Sequence, residues 1–250
     1  MIRNNFISMS VDTSGEFSRY SRLHREVLHR YRHYGSQREF RISVVRSVLF
    51  FIASIVVVFY AIGYATERAS NSVTDIVLSN TPAFDVDGLF VYGTALLLIL
   101  AVSLLLTHPK RIPFVLHSVA LFYFVRAAFI SLTHLGPFPL QAVNSFDFGE
   151  VTGRFFLGGD LFFSGHTGLP FLLALIFWRE RGIRNIFLLW SAYFGAVVLL
   201  GHLHYSIDVA SAFFITYGVF HIAEFIFPKA RAFFYSDMSA PIPKHAAKLR

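Results

Sequence analysis

The stretch SVVRSVLFFIASIVVVFYAIGY, Ser43 to Tyr64, carries Arg46 as its single charged residue in a run dominated by Val, Ile, Leu, Phe and Ala. A helix of roughly 20 residues, rising about 1.5 Å per residue, crosses a hydrocarbon core of about 30 Å. Working outward, five more apolar runs of similar kind follow: Gly88–Leu106, Ile112–Thr133, Leu161–Trp178, Asn185–Leu200 and Tyr205–Phe227. The runs are continuous, not alternating with period two, so helices and not a barrel satisfy the backbone in lipid. Apolar residues make up 55% of the 250 positions against 15% charged, with a mean hydropathy of +0.56, which excludes an ordinary water-soluble globule. The sequence therefore predicts an all-α polytopic membrane protein with six transmembrane helices. Residues 1–42 form a basic arm, 43–227 the membrane domain and 228–250 a basic tail.

Charge orients the prediction. Eight arginines fall in the arm, and Arg46, Lys110, Arg111, Arg179, Arg181, Arg184 and five basic residues of the tail lie on the same predicted side. Only Arg68, Arg126 and Arg154 lie elsewhere, whereas Glu67, Asp75, Asp85, Asp87, Asp147, Glu150 and Asp160 crowd the opposite loops. The positive-inside rule then puts both termini in the cytoplasm and the acidic loops in the periplasm, lumen or exterior. The net charge of +7 reports this topology and contact with anionic lipid, not a nucleic-acid partner. Within the arm, Phe17, Tyr20, Leu23, Val27, Tyr31 and Tyr34 recur at spacings of three and four, and Thr13 and Glu16 fit a capping box. An amphipathic helix on the cytoplasmic face is expected. No cleavable signal peptide is expected, because the first apolar run starts some forty residues in and is too long for an h-region. The chain has no cysteine, which removes disulfides, thiolate metal sites and cysteine nucleophiles.

Two polar segments interrupt the apolar background at the acidic side: GGDLFFSGHTG, Gly158 to Gly168, and HLHYSIDV, His202 to Val209. On a helix His204 and Asp208, four apart, share a face, so the carboxylate can accept a proton from one ring nitrogen and leave the other as nucleophile. Attack on a phosphodiester makes a phosphohistidine and requires an acid for the departing alkoxide, a role for His166. The backbone N–H groups of Ser164 and Gly165, ahead of an apolar helix, are candidate receivers of phosphate oxygens. Arg126 lies on the order of 10 Å inside the third span, where phosphate binding competes with snorkelling to the interface. Taken alone, His204 and Asp208 also read as a polar pair at the membrane surface, and Asp160 as an ordinary loop carboxylate.

Together GDLFFSGHT and HYSID resemble the two histidine motifs of the sphingomyelin synthase branch of the lipid phosphate phosphatase superfamily. RAAFISLTHLGPFP, Arg126 to Pro139, is similar to that family's arginine-plus-proline segment, and TPAFDVD, Thr81 to Asp87, is a weaker match to its first loop. The resemblance implies a His–His–Asp triad of His166, His204 and Asp208. It also implies an acidic position at Asp160 that orients a catalytic group or contacts an amine, and a substrate-binding set of Arg126, Ser164, Gly165 and Asp160. The broader family's Lys-x6-Arg-Pro motif and the arginine ahead of its nucleophilic histidine are absent, which suits a singly charged phosphodiester better than a dianionic monoester.

The implied activity is transfer of a phosphorylated head group, such as phosphocholine, from a glycerophospholipid to ceramide or a diacylglycerol-like acceptor. No cofactor and no metal are required. Phe84, Phe90, Phe146 and Phe148, beside the acidic loops, are candidates to hold a cationic head group. Phospholipase C-like or phosphatase hydrolysis at the same residues is the alternative. A zinc hydrolase using His166, His202, His204 and Asp208, and a transporter, are readings of other classes.

Overall fold

The computed structural model describes residues 13–139 and 161–236, with side chains from His24 onward. Asp160, the loop residues Asp147, Glu150 and Arg154, Phe146 and Phe148, and the basic residues Lys244, Lys248 and Arg250 lie outside the described residues, as do the side chains of Thr13 and Glu16. The described chain is helical, with no strand among the described residues.

Among the described residues eight α-helices follow in order: α1 Thr13–Gly35, α2 Arg38–Glu67, α3 Asp87–Thr107, α4 Ile112–Leu132, α5 Gly165–Ile176, α6 Arg181–Leu200, α7 Ser206–Ile226 and α8 Pro228–Tyr235. Short 3-10 turns occupy Leu78–Asn80 and Pro109–Arg111. Five of the helices, α2, α3, α4 with its preceding turn, α6 and α7, are long and apolar enough to cross a membrane. Their limits fall within a few residues of the apolar runs.

The run Leu161–Trp178 behaves differently. It is helical only over the twelve residues Gly165–Ile176, about 18 Å of helix, shorter than a hydrocarbon core. The reason lies at its ends. Ser164 acts as N-cap, its Oγ accepting from the Thr167 N–H at 3.4 Å, so residues 161–164 stay outside the helix. At the other end Phe177 closes the helix, and a turn leads to α6 at Arg181.

What α5 lacks in length it makes up in burial. It packs against α4, α6 and α7 at the centre of the molecule, with Leu172, Ala174 and Ile176 fully enclosed. A Cβ added to Gly168 would stand 2.8 Å from Thr216 Oγ1 and 2.9 Å from the Phe122 ring, so glycine permits the close approach of α5 to both α4 and α7. By contrast α2 packs chiefly on α4 and leaves Val45, Leu49, Ile52 and Val56 outward, the surface expected of a lipid-facing helix. The main core runs through Phe114, Phe122, Phe163, Leu172, Phe187 and Phe194. At the base of the bundle Tyr34 of α1 packs on Phe40 and Phe233, and Arg30 donates to the Thr107 carbonyl at 3.0 Å.

Candidate active site

The α6–α7 connection sets His204. Gly201 and His202 close α6, His202 adopting φ of 54°, and Tyr205 and Asp208 form a reciprocal cap at the start of α7. The Tyr205 N–H donates to Asp208 Oδ2 at 2.9 Å. The same carboxylate oxygen is 3.4 Å from His204 Nδ1. A closer partner of that nitrogen is the Leu161 carbonyl, at 2.8 Å.

Both neighbours of Nδ1 are acceptors, so Nδ1 carries the proton and Nε2 presents its lone pair. His204 is 7% exposed and Asp208 fully buried, which holds the ring in one orientation. Asp208 thus has two tasks: it caps α7 and backs the imidazole. Its other oxygen, Oδ1, is buried without a partner among the described residues.

The segment 161–164 is stitched onto this connection by backbone groups. Besides the Leu161 carbonyl, the Ser164 N–H donates to the Asp208 carbonyl at 3.1 Å. The Ser164 N–H, expected to face a phosphate, is thus engaged with a backbone carbonyl here. Ser164 instead organises the turn, its Oγ also accepting from Thr167 Oγ1 at 3.1 Å. The first-turn N–H of Gly165 remains among those with no intrahelical acceptor.

Arg126 comes to the same place from α4. It is 5% exposed, and its Nη1 donates to the Phe163 carbonyl, so it does not snorkel to an interface. A Cβ at Gly165 would lie 3.0 Å from Arg126 Nε, so the guanidinium lies against the SGH segment itself. His166 packs between aromatic rings, 4.3 Å from Phe90 and 5.7 Å from Phe194, and is within electrostatic reach of His204 and Arg126. Of the expected residues, His166, His204, Asp208, Arg126, Ser164 and Gly165 therefore converge, while Asp160 lies outside the described residues. Phe90 is a buried neighbour of His166 and not an open head-group contact, whereas Phe84 is exposed.

One supporting residue escaped the sequence reading. Asp75 Oδ2 accepts from the Ser206 N–H at 2.7 Å and its hydroxyl at 2.8 Å, while Oδ1 accepts from the N–H groups of Val77 and Leu78. Burial pushes this carboxyl up, but the hydrogen bonds from Leu78, Ser206 and Val77 outweigh it and leave it below the ordinary carboxylate range. Asp75 clamps the α2–α3 loop to the start of α7. Tyr205 adds a second tie, its hydroxyl donating to the Gly136 carbonyl at 2.8 Å. In sequence Asp75 reads as one of several loop acids; only its placement shows the clamp.

His202 is buried edge-on against Phe138, with both ring nitrogens unpartnered among the described residues. Among the described residues no group of three or more His, Asp or Glu side chains is arranged to hold a metal ion.

Residues 158–225 match the family model described as PAP2 superfamily C-terminal. The match supports the type 2 phosphatidic acid phosphatase superfamily. It spans α5, α6 and nearly all of α7, and includes His166, His204 and Asp208; Arg126 lies outside it. No curated protein and no solved structure matches the chain. Members of the superfamily are lipid phosphatases and phosphotransferases, so the match supports a multi-pass membrane enzyme with lipid substrates.

Proposed function

We propose that this chain is a phospholipid head-group transferase of sphingomyelin synthase type, working through a phosphohistidine on His204. The observation that carries the proposal is the pinning of His204 Nδ1 by the Leu161 carbonyl and Asp208, which leaves Nε2 for attack beside Arg126 and His166.

In the first half-reaction Nε2 bonds to the donor phosphorus and the phosphorus–oxygen bond to the diacylglycerol breaks. The departing oxygen takes a proton from His166. Arg126 and the Gly165 N–H receive the phosphoryl oxygens. In the second half-reaction neutral His166 takes the proton of the acceptor hydroxyl, whose oxygen bonds to phosphorus as the bond to Nε2 breaks. The site is thereby restored.

The donor is a glycerophospholipid such as phosphatidylcholine, and the acceptor is ceramide or a diacylglycerol-like alcohol. In the same proposal the twelve-residue α5 completes a six-pass bundle whose termini are cytoplasmic and whose site opens on the other side. Water in place of the lipid acceptor would give phospholipase C or phosphatase chemistry on the same residues.

The test is product analysis in liposomes holding head-group-labelled phosphatidylcholine and ceramide, with His204→Ala alongside. Label in sphingomyelin supports transfer; label released as water-soluble phosphocholine replaces it with hydrolysis. Turnover retained by His204→Ala removes His204 as nucleophile.

A further inference from the structure

At the end of the bundle away from His204 a cavity of about 500 Å³ opens between the start of α2, the start of α4 and the α7–α8 junction. Ile42, Ile226, Phe227 and Phe233 supply apolar walls, and Glu39, Ser43, Arg46, His117 and Lys229 supply its polar groups. This is a different site from the first: His117 lies nine residues before Arg126 on α4, roughly 13 Å along the axis.

Its charges are unspent. Neighbouring Arg231 is paired with Glu224 at 2.9 Å, and Glu224 also meets His221 at 3.2 Å. No ion pair of Arg46, Lys229 or Glu39 exists among the described residues. Arg46 is also the one charge in an otherwise apolar stretch of α2.

His117 adds a directed group. It is buried, its ring tilted against that of Phe227 at 4.3 Å, and its Nδ1 donates to the Pro113 carbonyl at 2.7 Å. Nε2 is then left as an acceptor. Two cations with an acceptor and a carboxylate match a phosphodiester whose head group carries a hydroxyl or ammonium. The walls continue into lipid-facing side chains, Val45 and Leu49 of α2 and Ile222 and Phe225 of α7, along which acyl chains would lie.

We infer that this cavity is a second lipid site, which holds a bilayer glycerophospholipid by its phosphodiester between Arg46 and Lys229. It takes no part in head-group transfer and stands independently of that function. The bound lipid would bridge α2 to the α7–α8 junction, two parts of the bundle that otherwise meet only sparsely.

The test uses the full-length protein reconstituted with phosphatidylglycerol carrying a photoreactive group on one acyl chain, followed by peptide-resolved mapping. Labelling should concentrate on 42–50 and 222–233, and Arg46→Gln with Lys229→Gln should reduce it there about tenfold while α3 labelling stays constant. Ile42→Trp, which fills the cavity from an exposed position, should do the same with both cations intact, and His204→Ala should label like the parent. Equal labelling in the Gln pair and the parent would overturn the site. So would equal concentration there of photoreactive diacylglycerol, which lacks the phosphate, or displacement by excess soluble glycerol phosphate, which would make it a site for free phosphate.

Discussion

At the end of the bundle that holds His204, the ionisable side chains of the site are enclosed and held by hydrogen bonds: Asp208 by Tyr205 and His204 within the α7 cap, Asp75 by Ser206, and Arg126 at the Phe163 carbonyl. At the opposite end Arg46 and Lys229 stand exposed around a cavity, and the buried Arg111 pairs with a partly exposed Glu180 at 2.7 Å. A buried polar group stripped of its partner cannot recover the loss from water, whereas an exposed cation can. The first end should therefore answer to single-atom changes, and the second mainly to changes in bound lipid.

The largest effect tests the first end directly. His204→Ala should lower head-group transfer at least about 10³-fold, and His166→Ala about 10²–10⁴-fold, measured as initial rates in liposomes. Equal, small losses would remove the distinction between nucleophile and acid.

Arg126→Lys keeps the charge but loses the planar donor set that reaches both the Phe163 carbonyl and the Gly165 region. Transfer should fall about 10- to 100-fold with little change in melting temperature. Gly165→Ala should act in the same direction, because its Cβ would press on Arg126 Nε. Unchanged rates in both would detach the guanidinium from the chemistry.

Asp75→Asn retains the shape of the clamp and removes its charge. Stability should drop by about 1–3 kcal/mol in thermal unfolding. Since the Asp75 pKa is depressed in the folded state, its stabilising effect is complete above the ordinary carboxylate value near 4 and fades as pH falls through the lower folded value. The variant should lose that acid-limb dependence.

At the other end Glu180→Gln leaves Arg111 with hydrogen bonds but no counter-charge. Because Glu180 is itself 37% exposed, the cost should be only about 1 kcal/mol. A loss as large as that of Asp75→Asn would erase the contrast between the two ends.

A pH-dependent effect belongs to His108, between α3 and α4. Burial, followed by Arg111, Arg30 and Lys110, pushes its pKa down to about 4. Proton uptake below its ordinary value of about 6.5 then favours the unfolded chain. Its contribution to stability is full above that value and is lost as pH falls toward about 4. His108→Asn should flatten melting temperature over this window.

Five long helices were legible because the thickness of a hydrocarbon core fixes both length and composition of a span, and neither depends on what the helix packs against. The pairing of His204 with Asp208 was legible from their spacing of four, although His204 stands ahead of the N-cap Tyr205 and meets the carboxylate through the capping turn, not along a helix face. The shorter α5 was not: an apolar run ending in Phe177 and Trp178 looks the same whether its first residues are helical or stitched by backbone bonds to another segment. The Leu161 carbonyl beside His204 carries no side-chain signature at all. Asp75 and Ser206 stand 131 positions apart, beyond any local pattern.

By itself, then, the sequence determined that the chain is helical and suited to a bilayer, and which polar residues its apolar surroundings single out, because burial in lipid is a property of composition. Tertiary structure decided that Ser164 spends its N–H on Asp208, that Arg126 lies against Gly165, and that Asp75 holds the start of α7. Those are matters of which backbone and side-chain groups meet when four helices pack, and hydrogen bonds select among them by distance and direction, not by sequence neighbourhood.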